Sequence, residues 1–346
     1  LAGALKNHFN VTVLTGQHQK NLKKKEKIDG YTVIRCNPAF FIDKGYISFE
    51  FLLKYYELTK SSDVINLHLP MLESGLFSIM TKKPIITTYH CDMALVGGVI
   101  SKIAVLIVRF SMWISLKLSS VIVVITKDYA QSSKILSEFL PKIRSITPPN
   151  RFEKYDLAPA CNNRKKIICG FVGRFAYEKG ISTILDAATL LKDEPVEFQL
   201  AGELEGVAGG GIYSDISTKL KQNADSVKVV GRLTDQELIS FYSEIDILLL
   251  PSINRFEAFG MVQVEAMTFG ALVIASDMPG VRDVVKTTKM GNLCSPNDPN
   301  SLAAAIRLTA IQRKKVSRSD VRDIALMRYK GNTFGESYRD IINSLS

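Results

Sequence analysis

Pro251-Ser252-Ile253-Asn254-Arg255-Phe256-Glu257-Ala258-Phe259-Gly260-Met261-Val262-Gln263-Val264-Glu265-Ala266-Met267 sets two carboxylates, Glu257 and Glu265, eight residues apart. The run Ile245 to Leu250 just before it is apolar, of buried-strand type, and stops at Pro251. Ala258 to Met267 reads as helical, so Glu257 falls in the turn and Glu265 well inside the helix. Open α/β sheets bind ligands at the ends of parallel strands, where helix N-termini point outward. Two carboxylates placed there suit a hydroxyl-rich ligand, because a carboxylate accepts strong hydrogen bonds from O–H groups. Gly260 lets the backbone approach such a ligand closely. The plain alternative makes Glu257 a carboxylate favoured by the helix dipole. Glu265 is flanked by Val262, Val264, Ala266 and Met267, so its charge needs a partner to offset lost hydration.

Upstream, Gly173-Arg174-Phe175-Ala176-Tyr177-Glu178-Lys179-Gly180 brings two cations to the expected start of a helix. Positive charge at a helix N-terminus is unfavourable by roughly 0.3–1 kcal/mol per group, and Glu178 offsets only part of that. An anion held between Arg174, Lys179 and the free N–H groups makes better sense of the pattern than two solvated side chains. His90, in Thr88-Tyr89-His90, closes the strand expected over Ile85–Tyr89, with Asp92 two residues on. His68, after the strand beginning at Val64, could line the same side, though an ordinary turn histidine is the simpler reading of it.

The strand–turn–helix with Glu-x7-Glu resembles the signature of the retaining glycosyltransferases of family 4. Three further stretches share that family's pattern: Gly173–Gly180 as G-R-x4-K-G, Thr88–His90 as its histidine loop, and Gly270 to Pro299 downstream. The resemblance implies the GT-B fold: two Rossmann-like, doubly wound parallel-sheet domains with a cleft between them. It implies a nucleotide-diphosphate sugar as donor, with no metal and no cofactor. Arg174 and Lys179 would then grip the diphosphate, Gly173 would belong to the same segment, and Glu257 would hold donor-sugar hydroxyls. Ala258, Phe259, Gly260, Met261 and Val262 would offer backbone N–H groups, and Glu265 would hold the ribose. Arg232 and Leu233 would meet the base, largely through backbone, and His90 would contact the transferred sugar.

Composition fits that frame. The chain has 346 residues, 46% of them apolar and 23% charged, which suits two globular domains. Cys36, Cys91, Cys161, Cys169 and Cys294 are scattered, as expected of free thiols in a reducing, cytoplasmic compartment. The histidines are dispersed and no D-x-D cluster stands out, so no metal site is expected. Residues 1–150 hold 19 Lys/Arg against 10 Asp/Glu, a net of +9, whereas the remainder holds 25 against 24, a net of +1. That asymmetry suggests an anionic partner for the first half alone. Nucleic acid is disfavoured, because Lys20 to Lys27 is the one dense basic run and no aromatic platform accompanies it. An anionic membrane surface, met peripherally from the inner face, fits better. The long apolar stretch Gly97–Ser120 carries Lys102, Arg109 and Lys117 near one helical face, so it is no membrane span. It reads either as a core helix with a solvated stripe or as an interfacial one.

β-rich runs alternate with helical ones throughout, the pattern of parallel sheets. Expected strands are Val11–Leu14, Thr32–Arg35, Val64–Leu67, Ile85–Tyr89, Val121–Ile125 and a segment near Ser145–Thr147. After the hinge-like Pro148-Pro149-Asn150 come Ile167–Val172, Glu197–Leu200, Val227–Val230, Ile245–Leu250 and Leu272–Ala275. The clearest helices are Leu1–His8, Ser182–Lys192, Asp235–Tyr242 and Asn300–Arg313, with a helical tail broken near Lys330-Gly331-Asn332. Expected domains are therefore 1–152 on the acceptor side, 153–328 on the donor side, and 329–346 returning to the first. The chain opens on a helix and Leu1, so a first strand and a glycine-rich loop are expected upstream.

The expected activity is retaining transfer of a hexose such as mannose or glucose to an acceptor hydroxyl. The acceptor would be a glycan or lipid-linked saccharide in cell-envelope polysaccharide, glycolipid or lipid-linked glycan synthesis. The alternatives are a nucleotide-sugar epimerase, or a non-catalytic nucleotide-sugar-binding protein of the same fold.

Overall fold

The computed structural model describes residues 1–38, 40–42, 45–93, 99–156, 165–203, 212–329 and 332–345. The chain divides into two compact units, Leu1–Thr147 with Asn332–Ser346, and Pro148–Gly331. It is an α/β protein, with its principal parallel sheets of four and six strands.

In the first unit, β1 (Thr12–Gly16), β2 (Lys25–Ile28) and β3 (Tyr31–Cys36) form a three-stranded sheet in the order β1-β3-β2. β1 pairs with β3 in parallel, and β2 with β3 antiparallel. β4 (Phe40–Ile42) and β5 (Gly45–Ile47) pair antiparallel with each other. β6 (Ile65–Leu69), β7 (Ile85–Tyr89), β8 (Val121–Val124) and β9 (Ile143–Ser145) follow in sequence order as a parallel sheet. Every residue of β7 is buried, as the β-branched run Ile-Ile-Thr-Thr requires of a strand covered on both faces. One core joins helices Phe49–Thr59 and Ser74–Ile79 to β6 and β7 through Tyr55, Leu67, Phe77 and Ile85. A separate cluster packs helix Ala2–Leu5 and the tail helix Asn332–Asn343 over Ile86, Val123 and Ile146. The tail supplies Phe334 and Tyr338, one turn apart, and the Tyr338 hydroxyl lies 2.9 Å from Thr88 Oγ1.

The second unit is one six-stranded parallel sheet: β10 (Ile167–Val172), β11 (Val196–Ala201), β12 (Val227–Gly231), β13 (Ile247–Leu250), β14 (Leu272–Ser276) and β15 (Gly291–Cys294). Its order, β12-β11-β10-β13-β14-β15, runs outward from β10 in one direction and from β13 in the other. The switch point of this doubly wound sheet therefore lies between β10 and β13, where a crevice opens at the strands' carboxyl ends. Residues 148–152 fall with this unit for a visible reason. Asn150 Nδ2 donates to Thr268 Oγ1 at 2.5 Å, and Phe152 packs edge-on against Tyr242 and Phe269.

Several boundaries differ from the sequence reading. The helix expected from Ala258 begins at Met261, because Gly260 takes a left-handed conformation (φ 80°) that interrupts any helix there. Lys25, in the dense basic run where no strand was expected, opens β2. Only Ala2–Leu5 of the expected Leu1–His8 helix is α-helical, and the pairing near residue 145 covers Ile143–Ser145 instead of the Ser145–Thr147 segment. Cys36, Cys91, Cys169 and Cys294 are free thiols; Cys161, Gly97 and the break at 330–331 lie outside the described residues.

Candidate functional site

Two loops leave the switch point. One follows β10 and carries Arg174 through Lys179, and the other follows β13 and carries Pro251 through Glu257. Gly180 joins them. Its left-handed backbone (φ 70°) turns a short 3-10 segment, Tyr177–Lys179, into helix Ile181–Leu190, and a Cβ there would sit 2.0 Å from the carbonyl oxygen of Pro251. Only glycine meets both demands. The Ile253 N–H donates to the Glu178 carbonyl at 3.0 Å, fixing the two loops side by side.

On that backbone the ammonium of Lys179 reaches Glu257 Oε2 at 2.5 Å, with both side chains largely shielded from water. Charge-assisted contacts of this length are among the stronger polar contacts a protein makes. Arg174 donates to Glu178 Oε1 at 2.9 Å and leaves about half of its side chain exposed. Past Glu257, Ala258 and Phe259 are buried, and Gly260 presses against Leu250 so closely that a Cβ would meet its Cδ2 at 2.2 Å. Met261 and Val262 open helix Met261–Thr268 and remain partly accessible.

Beside these loops, at the ends of β10, β11 and β12, is a cavity of about 310 Å³ lined by Gly173, Arg174, Gly202, Glu203, Arg232 and Leu233 among others. Two glycines of its lining, Gly173 and Gly202, bring backbone directly to its wall. A Cβ on Gly202 would lie 1.8 Å from the Gly173 carbonyl oxygen, so the two strand ends touch where side chains would otherwise stand. Arg232 is exposed, with its guanidinium 3.8 Å from Glu203. Lys179, Glu257 and Glu265 stand outside this lining.

Glu265 is buried, and both of its oxygens are engaged. Arg151 Nε donates to Oε1 at 3.0 Å and the Tyr242 hydroxyl to Oε2 at 2.8 Å. Arg151 also reaches Asp235 at 2.8 Å and lies over the ring of Phe152. Burial by itself would lower the Arg151 pKa; Glu265, and then Asp235, raise it above its ordinary value instead. Burial and the adjacent carboxylate push Tyr242 well above the usual tyrosine range, so it stays a donor. A carboxylate has about four lone-pair positions, and two remain after these bonds.

His90 belongs to the first unit and is paired with His68, Nε2 to Nδ1 at 2.9 Å, the rings stacked at 5.2 Å. One ring must donate and the other accept, so at least one is neutral. Both rings keep part of their surface in water; partial loss of hydration, then the neighbouring His90, takes His68 down to about 4, and partial loss of hydration lowers His90 as well. Asp92 accepts from Tyr89 and Ser133, pinning the loop.

Sequence reasoning missed Arg151, Tyr242 and the pairing of His68 with His90. The apolar neighbours of Glu265 signalled a needed partner, but Arg151 stands 114 positions away. For His68 the signal was its place near the end of β6, within the strand and not after it as the sequence reading had it, beside β7, which ends just before His90.

Residues 157–320 match the family model described as Glycosyl transferases group 1. That stretch, 164 of the chain's 346 residues, carries the signature of that family. A D-rhamnosyltransferase, WbpZ of Pseudomonas aeruginosa, is similar to this chain: 27% identical over 290 residues, 80% of this chain and 72% of the relative. Two other curated relatives are spanned over only 36% and 51% of their own lengths, so the chain covers about a third to a half of each. Among solved structures, a sucrose-phosphate synthase of Thermosynechococcus elongatus aligns over 99% of this chain and 90% of its own, with TM-score 0.77 and 20% identity. HepE of Anabaena, solved with UDP and glucose, aligns over 92% and 87% with TM-score 0.69 and 18% identity. At such identities the structures establish the GT-B fold and nothing finer. No cluster of three or more His, Cys, Asp or Glu able to hold a metal occurs among the described residues.

Proposed function

We propose that this chain moves a hexose from a nucleotide-diphosphate sugar to an acceptor hydroxyl with retention of configuration, without a metal or other cofactor. The observation that carries the reading is the Lys179–Glu257 contact at the sheet's switch point, with Arg174 on the adjoining loop. In the proposal Arg174 and Lys179 neutralise the leaving diphosphate, the electrostatic contribution that is usually largest in catalysis. Glu257 holds sugar hydroxyls while keeping the Lys179 ammonium aimed. The N–H groups of Ala258, Phe259, Gly260, Met261 and Val262 serve sugar and phosphate. The cavity at Gly173, Arg232 and Leu233 takes the base, where the close backbone approach at Gly173 and Gly202 leaves room for a flat ring. Glu265, oriented by Arg151 and Tyr242, uses its two remaining lone-pair positions for the ribose. His90 contacts the transferred sugar.

The rhamnosyltransferase relative and the neighbour solved with UDP and glucose favour a hexose or deoxyhexose donor. The acceptor in this reading is a glycan or lipid-linked saccharide in polysaccharide, glycolipid or lipid-linked glycan synthesis. The basic charge of residues 1–150 favours an acceptor presented at an anionic membrane surface, met from the cytoplasmic side.

The test is a transfer assay over a panel of nucleotide sugars with Arg174→Ala, Lys179→Ala and the double variant. Each single change is expected to lower kcat/KM by about 10²-fold or more, the size typical of removing one preorganised donor. Turnover by the double variant at the wild-type rate overturns the assignment, as does release of free epimerised sugar in place of transfer.

A further inference from the structure

Three helices of the first unit pack in a row. Phe51 and Tyr55 of helix Phe49–Thr59 stack on Phe77 of helix Ser74–Ile79, at 5.4 and 4.4 Å between ring centroids. Helix Ser74–Ile79 in turn crosses helix Val99–Leu118 so closely that a Cβ on Gly75 would lie 2.7 Å from the Ser111 carbonyl oxygen. The sides turned inward account for the core. The outward sides are apolar as well. Phe49, Leu53 and Tyr56 recur at helical spacing on the first helix, Leu76 and Ile79 on the second, and Ile103, Leu106, Ile107 and Phe110 on the third. Phe49, Leu53, Ile79 and Phe110 are 64–65% exposed. Single exposed apolar residues need no explanation, but nine on three neighbouring helices do.

The charges bordering this face decide what covers it. Helix Val99–Leu118 contains Lys102, Arg109 and Lys117 and no acidic residue. The Lys117 ammonium lies 5.0 Å from the ring centroid of Trp113, and that of Lys60 lies 4.3 Å from the ring centroid of Tyr56. Lysine beside an interfacial aromatic is the arrangement by which a protein places apolar rings among acyl chains and cations among headgroups. Of the acids on or beside these helices, Glu57 pairs with Lys54, Glu50 with Lys24, and Glu138 with the Trp113 indole N–H, while Glu73 stands at the start of helix Ser74–Ile79. No helix among the described residues is long and apolar enough to cross a membrane, so the face can lie on a bilayer but not through one. A second copy fits poorly, because a two-fold pairing would set the cations of helix Val99–Leu118 against themselves.

We propose that the first unit seats on an anionic lipid bilayer through the apolar face of helices Phe49–Thr59, Ser74–Ile79 and Val99–Leu118, with Lys60, Lys102, Arg109 and Lys117 meeting the headgroups. This rests on, and sharpens, the membrane-surface reading of the acceptor side; it is independent of the donor chemistry of the second unit.

The experiment is co-sedimentation of the chain with vesicles of phosphatidylcholine containing phosphatidylglycerol, against phosphatidylcholine alone. The comparison includes wild type, the pair Ile107→Glu with Phe110→Glu, and the pair Lys102→Glu with Lys117→Glu. These side chains are exposed, so the variants keep the fold, checked by circular dichroism and by the thermal shift that UDP, GDP or ADP produces. Wild type is expected to partition onto the anionic vesicles and to be released by salt. Each pair is expected to weaken partitioning at least about tenfold, given roughly 1 kcal/mol per surface cation and about 0.8 kcal/mol per buried CH2. Variants that partition as wild type does, or a wild type that ignores anionic vesicles, overturn the proposal. So does a concentration-dependent dimer, seen by light scattering, that the same substitutions abolish. Loss of the nucleotide shift in every form with partitioning intact would strike the donor assignment and leave this proposal standing.

Discussion

Glu265 shows how one buried carboxyl group can have both oxygens satisfied: a fully buried tyrosine bonds one and a half-exposed arginine the other. Removing either partner leaves lost hydration uncompensated. Tyr242→Phe, which keeps the ring packing, is expected to destabilise the second unit by about 1.5–3 kcal/mol, the range for hydrogen bonds to a charged group. Arg151→Ala should cost less, roughly 1 kcal/mol, since water reaches the guanidinium and can partly replace it. Urea denaturation of the two variants tests the ordering, and a larger loss for Arg151→Ala would contradict it. The histidine pair makes a titration prediction. His68 is held below its unfolded value, so the folded state favours its neutral form, and the stability it lends is present above pH about 6.5 and lost as pH falls toward 4. Ring NMR should show it uncharged at pH 6, with His68→Gln flattening that acid limb. Both rings fully protonated at pH 6 would refute the pairing, since neither could then accept. Residue identities were readable from the chain because carboxylates, cations and glycines of the site fall in short local patterns. The partners of Glu265 and His90 were not, since they meet only through the folded chain.

Elements were legible in proportion to how much they bury. β7 and β10, rich in apolar and β-branched residues, run over the residues expected of them. β2, Lys-Glu-Lys-Ile, escaped notice because an edge strand exposed on one side needs no apolar run. β15, Gly-Asn-Leu-Cys, escaped because its pairing to β14 is backbone against backbone: a Cβ on Gly291 would lie 1.8 Å from the Val273 carbonyl oxygen. The late start of helix Met261–Thr268 has the same origin, as a left-handed glycine outweighs helical propensity in its neighbours. Gly180 belongs to this scale too, since it sets how the loops after β10 and β13 approach. Gly180→Ala combines a positive φ with a collision against Pro251, and is expected to destabilise the second unit by about 1–3 kcal/mol or more. It should also weaken nucleotide-sugar affinity, because Lys179 and Glu257 are carried on the displaced backbone. Calorimetry with unchanged affinity in a folded Gly180→Ala protein would separate the loops' packing from the site.

At the scale of the molecule, the two units have separate cores, and the first is assembled from discontinuous chain. Phe334 from the tail is nearly buried among Leu5, Ile86 and Val123, so Phe334→Ala is expected to cost about 3 kcal/mol, within the range for truncating buried aromatics. The loss should appear in the unfolding of the first unit, read by hydrogen exchange at β7 and β8, with β10–β15 unchanged. Equal loss of protection in both would mean that the units do not unfold separately.

That interrupted path has a consequence for biogenesis. A ribosome delivers residues in order, and the whole of Pro148–Gly331 emerges before the last helix that covers Ile86 and Val123. The second sheet can therefore mature during translation, while its older sibling waits unfinished, one apolar wall bare, until the closing helix has followed it out. A released chain cut after position 331 should be protease-resistant over residues 148–331 and susceptible over the earlier ones, a reversal of the usual order in which early segments fold first.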